Sequence, residues 1–269
     1  MAMTAVRDRG LVLLGCGKMG SAMLAGWLAE GLPPGSVHVI EPAPSDWLIS
    51  TGVALGGPLP ADPAVALIAV KPQMMGAALP ALRGLGPDTL LLTVAAGTTI
   101  AAYEAALGAG RPVVRAMPNT PAAIGRGITA ICGNARAGEA ELALAEALLS
   151  AVGEVVRLEG EHQMDAVTAV SGSGPAYVFH LIETLAAAGA AEGLPADLAM
   201  RLAKATVAGA GALAEAAEED PAQLRVNVTS PGGTTAAALA VLMDEDAGFP
   251  ALLRRAVHAA AERGRELGR

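Results

Sequence analysis

Residues 11–20 read Leu-Val-Leu-Leu-Gly-Cys-Gly-Lys-Met-Gly, and this stretch decides the fold. Four apolar residues in a row are typical of a short strand buried on both faces, as in a parallel sheet. The glycines of Gly15-x-Gly17-x-x-Gly20 follow at once, and residues 21–30 have the pattern of a helix. In this context the glycines permit a tight turn, a close approach of a pyrophosphate and close packing of helix on strand. We therefore predict a dinucleotide-binding fold of the Rossmann type, with an ordinary glycine-rich turn as the alternative.

The first 160 residues alternate between strand and helix patterns. Apolar runs predict further strands at residues 37–40, 66–70, 90–94, 113–117, 128–132 and 154–158. Helical segments lie between most of these strands, and residues 139–149 are the plainest example. Strands that alternate with helices in this way form a parallel, doubly wound α/β sheet.

The pattern changes after about residue 160, where strand signals stop and long Ala- and Leu-rich helical stretches begin. We predict helices at residues 162–170, 176–192, 195–217, 235–243 and 249–267, with glycine-rich breaks at 171–174 and 230–233. The expected fold class is therefore α/β followed by all-α. Residues 1–160 would form the dinucleotide-binding domain. Residues 161–269 would form an all-helical domain for substrate binding and for oligomerisation, because large apolar faces mark interfaces.

Composition excludes several classes of protein. Hydrophobic residues make up 53% of the chain and charged residues 16%, which is too apolar for a disordered chain. The net charge of -8 and the aromatic content of 2% argue against a nucleic-acid partner. Neither cysteine, Cys16 or Cys132, has the spacing of a metal or redox motif, so we predict no metal site. The apolar run before Cys16 is too short for a signal peptide or a membrane span, so we expect a cytoplasmic protein.

Glu41 bears on the choice of cofactor. It ends the second predicted strand, about 20 residues beyond the last glycine of the motif. A carboxylate at this place can accept hydrogen bonds from the adenosine ribose hydroxyls and would repel a 2′-phosphate. The sequence therefore favours NADH over NADPH, although a solvated charge at the end of a strand is the alternative.

Three further segments follow predicted strands at the same edge of the sheet, where ligands bind in such folds. Val70-Lys71-Pro72 and Ala95-Ala96-Gly97 could approach the ribose and phosphates of a dinucleotide. The segment 115–121, which contains Asn119, is stiffened by two prolines and suits a wall beside a ring.

A second glycine motif lies between predicted helices and reads Ser230-Pro231-Gly232-Gly233-Thr234-Thr235. Backbone N–H groups from Gly233 to Thr235 would form a helix N-terminus or a nest, and both bind carboxylates. The alternative is an ordinary helix cap, which favours the same residue types.

The sequence resembles the pyrroline-5-carboxylate reductases in motifs that recur in the same order and spacing from residue 11 to residue 267. These motifs are Gly-Cys-Gly-Lys-Met-Gly at 15–20, Ala-Val-Lys-Pro at 69–72, Val-Ala-Ala-Gly at 94–97, Arg-Ala-Met-Pro-Asn-Thr-Pro at 115–121, Ala-Val-Ser-Gly-Ser-Gly-Pro-Ala-Tyr at 169–177 and Val-Thr-Ser-Pro-Gly-Gly-Thr-Thr at 228–235. The resemblance implies reduction of a cyclic imine, Δ1-pyrroline-5-carboxylate, to L-proline with NADH or NADPH, the last step of proline biosynthesis. It also implies a homodimer with interlocked helical domains, which in the family is often assembled into a decamer.

The resemblance assigns roles to particular residues. Asn227 is similar to a residue that reaches the cofactor of a neighbouring subunit, and Glu161 resembles another residue near the cofactor. Ser230 and the backbone of residues 232–235 look like the carboxylate site, and Thr235 matches the hydroxyl that hydrogen-bonds the pyrroline nitrogen. The segments that look like cofactor contacts are Leu14, Gly15, Cys16, Gly17, Lys18, Met19, Gly20, Ala69, Val70, Lys71, Pro72, Ala95, Ala96 and Gly97. Two departures affect the cofactor. Many relatives carry small hydroxyl residues or Arg after the second strand, where this chain has Glu-Pro-Ala-Pro at 41–44. Residues 52–62 also lack an Asn that touches the adenosine ribose in relatives.

Two other functions stay open at this point. A hydroxyacid or ketoacid reductase would have a similar two-domain architecture, and such enzymes generally use a lysine in a helix. Lys204 is the only lysine after residue 71, and its surroundings do not match that pattern. A non-catalytic nucleotide-binding protein is the third possibility.

Overall fold

The structure, a computed structural model, describes residues 2–268 and divides them into two compact units. Unit 1 runs to Gly172 and also contains the stretch that begins at Ala260, whereas unit 2 is Ser173–Ala259. This division lies beyond the boundary expected at residue 160. The difference arises because Met164 and Ala169 are buried in unit 1.

Unit 1 is built on an eight-stranded sheet with the order β3-β2-β1-β4-β5-β6-β7-β8. The strands are β1 Leu11–Leu14, β2 Val37–Ile40, β3 Ala54–Leu55, β4 Val65–Ile68, β5 Leu90–Thr93, β6 Val113–Met117, β7 Gly127–Gly133 and β8 Gly153–Arg157. The strands from β3 to β6 in this order pair in parallel, which confirms the doubly wound fold. Strand β7 instead runs antiparallel to β6, and β8 runs parallel to β7.

The core of unit 1 lies on both faces of this sheet. Strand β1 alternates between them, with Leu11 and Leu13 in the cluster around Trp27, and Val12 and Leu14 in the other cluster. All four residues of β1 are buried, as they are in β4 and β5. Burial on both faces explains why these strands read as unbroken apolar runs in the sequence.

The helices of unit 1 cover the sheet. In unit 2 the helices follow one another, and its described residues contain no strand. The helices are α1 Ala2–Arg9, α2 Lys18–Ala29, α3 Asp46–Ser50, α4 Met75–Ala78, α5 Ile100–Leu107, α6 Glu139–Leu149, α7 Met164–Val167, α8 Gly174–Ala191, α9 Ala196–Ala216, α10 Pro221–Asn227, α11 Thr234–Leu242 and α12 Phe249–Leu267. The expectation of one helix over residues 162–170 is wrong in detail. A 3-10 turn precedes α7 there and a π-helical turn, Thr168–Gly172, follows it. Thr168 and Ser171 donate their hydroxyls to carbonyls four residues earlier, which bends helices.

Unit 2 has a small core and many exposed apolar side chains. Helices α8 and α9 pack through alanines, of which Ala186, Ala199 and Ala203 are buried. Phe179 and Val241 are among the large apolar residues that stay exposed in the single chain. None of the helices described between residues 2 and 268 is long and apolar enough to cross a membrane.

Candidate active site

The glycine loop after β1 has the shape that a pyrophosphate requires. Gly15 has a φ of +89°, and a Cβ added there would lie 2.7 Å from Val70 Cγ1. A Cβ at Gly20 would overlap the carbonyl oxygen of Gly15, whereas a Cβ at Gly17 would meet nothing within 4 Å. Gly15 and Gly20 are therefore needed for the fold, and Gly17 leaves space beside the loop.

The N-terminus of α2 faces this space. Gly17 is the N-cap residue and provides no side-chain cap, and Ser21 donates the first helical hydrogen bond, to Gly17 O at 2.8 Å. The N–H groups of residues 18–20 precede that bond. Uncapped N–H groups at the positive end of a helix dipole bind phosphate. The loop therefore fits the pyrophosphate of a dinucleotide.

The carboxylate of Glu41 lies against this glycine loop. Its Oε2 accepts the N–H of Cys16 at 2.9 Å, and its Oε1 accepts the N–H of Ala43 at 3.1 Å. An ionised carboxylate has about four acceptor sites, so both oxygens keep capacity for ribose hydroxyls. Burial, and then the charge of Glu41, raise the pKa of the Cys16 thiol to about 11. Cys16 is therefore a protonated thiol at neutral pH and not a nucleophile.

Two further segments lie at the carboxyl ends of the neighbouring strands β4 and β5. Ala69 donates its N–H to Leu14 O at 2.8 Å, which joins the segment 69–72 to the end of β1. In the segment 95–97, Ala95 is buried and Ala96 is exposed. Gly97 has a φ of +75°. The structure thus brings the sequence-predicted cofactor segments of unit 1 to one edge of the sheet.

A buried polar network lies beneath the segment 95–97. The side chain of Arg115 is 6% exposed and pairs with Glu161, with 2.6 Å between Nη1 and Oε1. The same Oε1 accepts the N–H of Ile100, the first residue of α5, at 2.8 Å. Thr93 Oγ1 and the Tyr103 hydroxyl are 2.5 Å apart. Glu161 therefore contacts Arg115 and the start of α5. Its place near the cofactor, which the resemblance implies, stays a prediction.

Sequence reasoning missed most of this network. Burial raises the pKa of the Tyr103 hydroxyl, against the smaller opposing effect of its hydrogen bond with Thr93. Burial, and then the charge of Glu161, raise the pKa of the Cys132 thiol to about 11. The sequence did contain one signal for this network. Arg115 interrupts an apolar strand, and a buried guanidinium needs a partner, so an ion pair could have been predicted there.

Asn119 holds the stiff loop after β6. Its Oδ1 accepts the N–H of Ile128 at 3.0 Å, and its Nδ2 donates to Ser171 O at 3.2 Å. Both ends of the amide are therefore used within unit 1. These contacts hold the loop in place, and its role as a wall beside a ring stays a prediction.

In unit 2, the Ser230–Thr235 motif forms a turn and the start of α11. Gly232 has a φ of +70°, and Gly233 is the N-cap residue without a side-chain cap. The N–H of Gly233 bonds to Ser230 O at 3.1 Å, so the N–H groups ahead of the helical bonds begin at Thr234 rather than at Gly233. The half-buried Thr235 lies in the first turn of this helix.

The last residue of α10, Asn227, is exposed, and its Oδ1 accepts Gln223 Nε2 at 2.8 Å. A cleft of about 490 Å³ lies between α10 and α11. Its lining includes Arg225, Thr229 and Ala236, none of which is among the predicted site residues. Across residues 2–268, no three His, Cys, Asp or Glu side chains lie close enough together to hold a metal ion.

Comparison with known proteins identifies the family. The family model for pyrroline-5-carboxylate reductase dimerisation matches residues 161–267. A pyrroline-5-carboxylate reductase of Pseudomonas aeruginosa is 40% identical over 264 residues, which cover 96% of each chain. The solved structure of the enzyme from Coxiella burnetii has a TM-score of 0.90 at 33% identity and covers 97% of this chain and 99% of that one. The Plasmodium falciparum structure, with NADP bound, has a TM-score of 0.81 at 28% identity and covers 98% and 99%. The chain therefore belongs to the pyrroline-5-carboxylate reductase family.

Proposed function

We propose that this chain reduces Δ1-pyrroline-5-carboxylate to L-proline with NADH or NADPH. The observation that carries the proposal is the presence of two uncapped helix N-termini, each preceded by a glycine turn. One follows Gly17 and suits a pyrophosphate, and the other follows Gly233 and suits a carboxylate. A dinucleotide and an imino acid are the two ligands that this reaction needs.

The protein's contribution is to hold the nicotinamide ring and the pyrroline ring face to face. When bound, the cofactor supplies hydride. The loop at Gly17 would hold the pyrophosphate, and the segment 95–97 would lie beside the nicotinamide ribose. Good positioning can contribute about 7–11 kcal/mol to catalysis. No side chain has to form a covalent bond, in agreement with the raised pKa of both cysteine thiols.

The substrate would bind through the Ser230–Thr235 motif. The Ser230 hydroxyl and the N–H groups of Thr234 and Thr235 would hold its carboxylate, and the Thr235 hydroxyl would hydrogen-bond the ring nitrogen. A protonated imine is already electrophilic, so one hydroxyl near the nitrogen is enough assistance. Thr235 is in this proposal the catalytic residue.

We further propose that NADH is the preferred cofactor. The Glu41 carboxylate lies beside the glycine loop, where it would repel a 2′-phosphate. Asn227 would complete the site of a neighbouring subunit, so the working unit would be a homodimer. The match of residues 161–267 to a dimerisation model supports an oligomer. A decamer, a cytoplasmic location and the functional division of the chain at residue 160 stay predictions.

The test is the loss of nicotinamide absorbance when purified protein is mixed with the imine and NADH, and separately with NADPH. Imine-dependent oxidation is the expected result. A ketoacid in place of the imine tests the rival reductase function. Nucleotide binding without oxidation of either cofactor would contradict the proposal and favour a non-catalytic role.

A further inference from the structure

The loop that joins β5 to α5, residues 94–99, is held at both ends by hydrogen bonds to polar side chains, and those at its start are buried. At its start, Ala95 donates its N–H to Thr93 Oγ1 at 3.4 Å, and that oxygen also contacts the Tyr103 hydroxyl. At its end, Thr99 caps α5 by accepting the N–H of Ala102 at 3.3 Å. The middle of the loop is left exposed at Ala96. The loop therefore combines fixed ends with an accessible middle.

The Arg115–Glu161 pair adds a further contact where α5 begins. One carboxylate oxygen, Glu161 Oε1, receives both the guanidinium of Arg115 and the N–H of Ile100. The shared acceptor therefore links Arg115 to the first residue of α5. Arg115 itself is rooted in the sheet, opposite Thr93 on β5 and Cys132 on β7.

The pair is partly shielded from water. The side chain of Arg115 is 6% exposed and that of Glu161 is 29% exposed, so the guanidinium has little access to water as an alternative partner. Leu267 lies close to the middle of the loop, since a Cβ added at Gly97 would lie 3.2 Å from the Cβ of Leu267. A buried ion pair often contributes little net stability compared with apolar side chains, so stability alone is a weak reason for this one.

We propose that Arg115 and Glu161 are positioning residues, which fix the β5–α5 loop and through it the nicotinamide half of the cofactor. The inference rests on the proposed function in one respect, namely that residues 95–97 contact that half. Neither side chain has to touch the reacting atoms. The adenosine half, which the glycine loop and Glu41 would hold on β1 and β2, does not depend on the pair.

The experiment compares two nucleotides on the full chain. NADH carries both halves, whereas ADP carries the adenosine and the phosphates but neither the second ribose nor the nicotinamide. We expect Glu161→Ala to weaken NADH binding about tenfold and to leave ADP binding unchanged, because the loss of a hydrogen bond to a charged group has an effect of about this size. Glu161→Gln keeps an acceptor for the Ile100 N–H and should recover most of the NADH affinity.

The control is Glu146→Ala, which removes a carboxylate of similar exposure from an ion pair with Arg157 and should change neither affinity. Equal weakening of NADH and ADP in Glu161→Ala would overturn the proposal, because the pair would then support the whole domain. Unchanged binding of both would also overturn it. If Glu161→Ala does not fold, the double variant Arg115→Met with Glu161→Gln replaces it. Arg115 then no longer holds the side chain at position 161, so the ratio of NADH to ADP affinity must fall in the same direction.

Failure of the proposed function would be recognised separately. These affinities are measured without the imine, and reduction of the imine by the wild-type chain is a distinct measurement. A chain that bound NADH through the loop and reduced a different substrate would keep this inference and lose the proposed function.

Discussion

Thr235 is the residue on which the proposed chemistry depends most. Its hydroxyl would bond to the ring nitrogen more tightly as hydride arrives, so Thr235→Ala should lower kcat and kcat/KM together, by about 100-fold. Ser230→Ala should mainly raise KM, because a carboxylate contact is equal in the ground and transition states. Steady-state kinetics on folded variants measure both effects, with NADH affinity as the control. A Thr235→Ala enzyme with wild-type kcat would show that Thr235 only binds or caps.

Glu41 gives a second prediction at the scale of one residue. Glu41→Ser should raise kcat/KM for NADPH relative to NADH by about tenfold or more, because the repulsion of the 2′-phosphate is removed. Glu41→Gln is the matched variant, since it removes the charge and keeps an oxygen for the Cys16 N–H. It should change the ratio in the same direction with a smaller loss of NADH affinity. The same cofactor ratio in all three proteins would rule out the specificity role of Glu41.

The glycines of the loop allow binding to be separated from folding. Gly20→Ala would push a methyl group against the carbonyl of Gly15 and should lower the free energy of unfolding by about 2 kcal/mol. Gly17 has a φ of -70° and open space around it, so Gly17→Ala should keep the wild-type Tm. Its methyl group would instead occupy the proposed pyrophosphate site and weaken the binding of both NADH and NADPH. Thermal melts and nucleotide titrations measure the two effects, and a Gly17→Ala protein with normal affinity would contradict the proposed cradle.

At the scale of elements, the sequence predicted what local patterns encode. Strands β1, β4 and β5 were found because burial on both faces requires unbroken apolar runs. The reversed direction of β7 was missed, since an apolar run does not record the direction in which its strand pairs. Strand β3 was missed because two exposed residues make no pattern.

The same distinction applies to the site. Glycine loops carry their chemistry in consecutive residues, so the segments 15–20 and 230–235 could be recognised. Arg115 and Glu161 meet across 46 positions, and no local pattern joins them. That Arg115 and Ile100 both donate hydrogen bonds to Glu161 can be seen only in the folded chain.

An exposed ion-pair cluster joins β8 to α6 and gives a pH prediction. Hydrogen bonds from Arg157 lower the pKa of both Glu139 and Glu146 below the usual value of 4.5. A lowered carboxyl pKa stabilises the fold above pH 4.5, and this stabilisation is lost as the pH falls below it. Arg157→Gln should therefore lower Tm slightly at pH 7, and the difference should shrink as the pH falls below 4.5. Melting curves across this range check it, and a constant difference would contradict it.

At the scale of the whole molecule, the apolar side chains of unit 2 predict an oligomer. Val241 is 71% exposed in the single chain and lies within the segment that matches the dimerisation model. We expect a homodimer or a multiple of it by sedimentation at micromolar concentration, and Val241→Glu should dissociate it. Ile49→Glu is the control, because Ile49 is 57% exposed and lies outside that segment. A wild-type monomer would contradict the prediction and remove the support for Asn227 acting across subunits.

Unit 1 is built from two separate stretches of chain, and this affects the order in which it can fold during synthesis on the ribosome. When residue 172 has been made, the whole sheet exists, but the last part of α12 does not. That part buries Ala261 and Gly264, and it places Leu267 beside Gly97 on the proposed cofactor loop. The nascent sheet therefore lacks the packing of this helical segment beside the loop until the helices of unit 2 have been translated. Nucleotide binding should consequently be a late event in biosynthesis, and a chain stalled before residue 260 should bind it poorly.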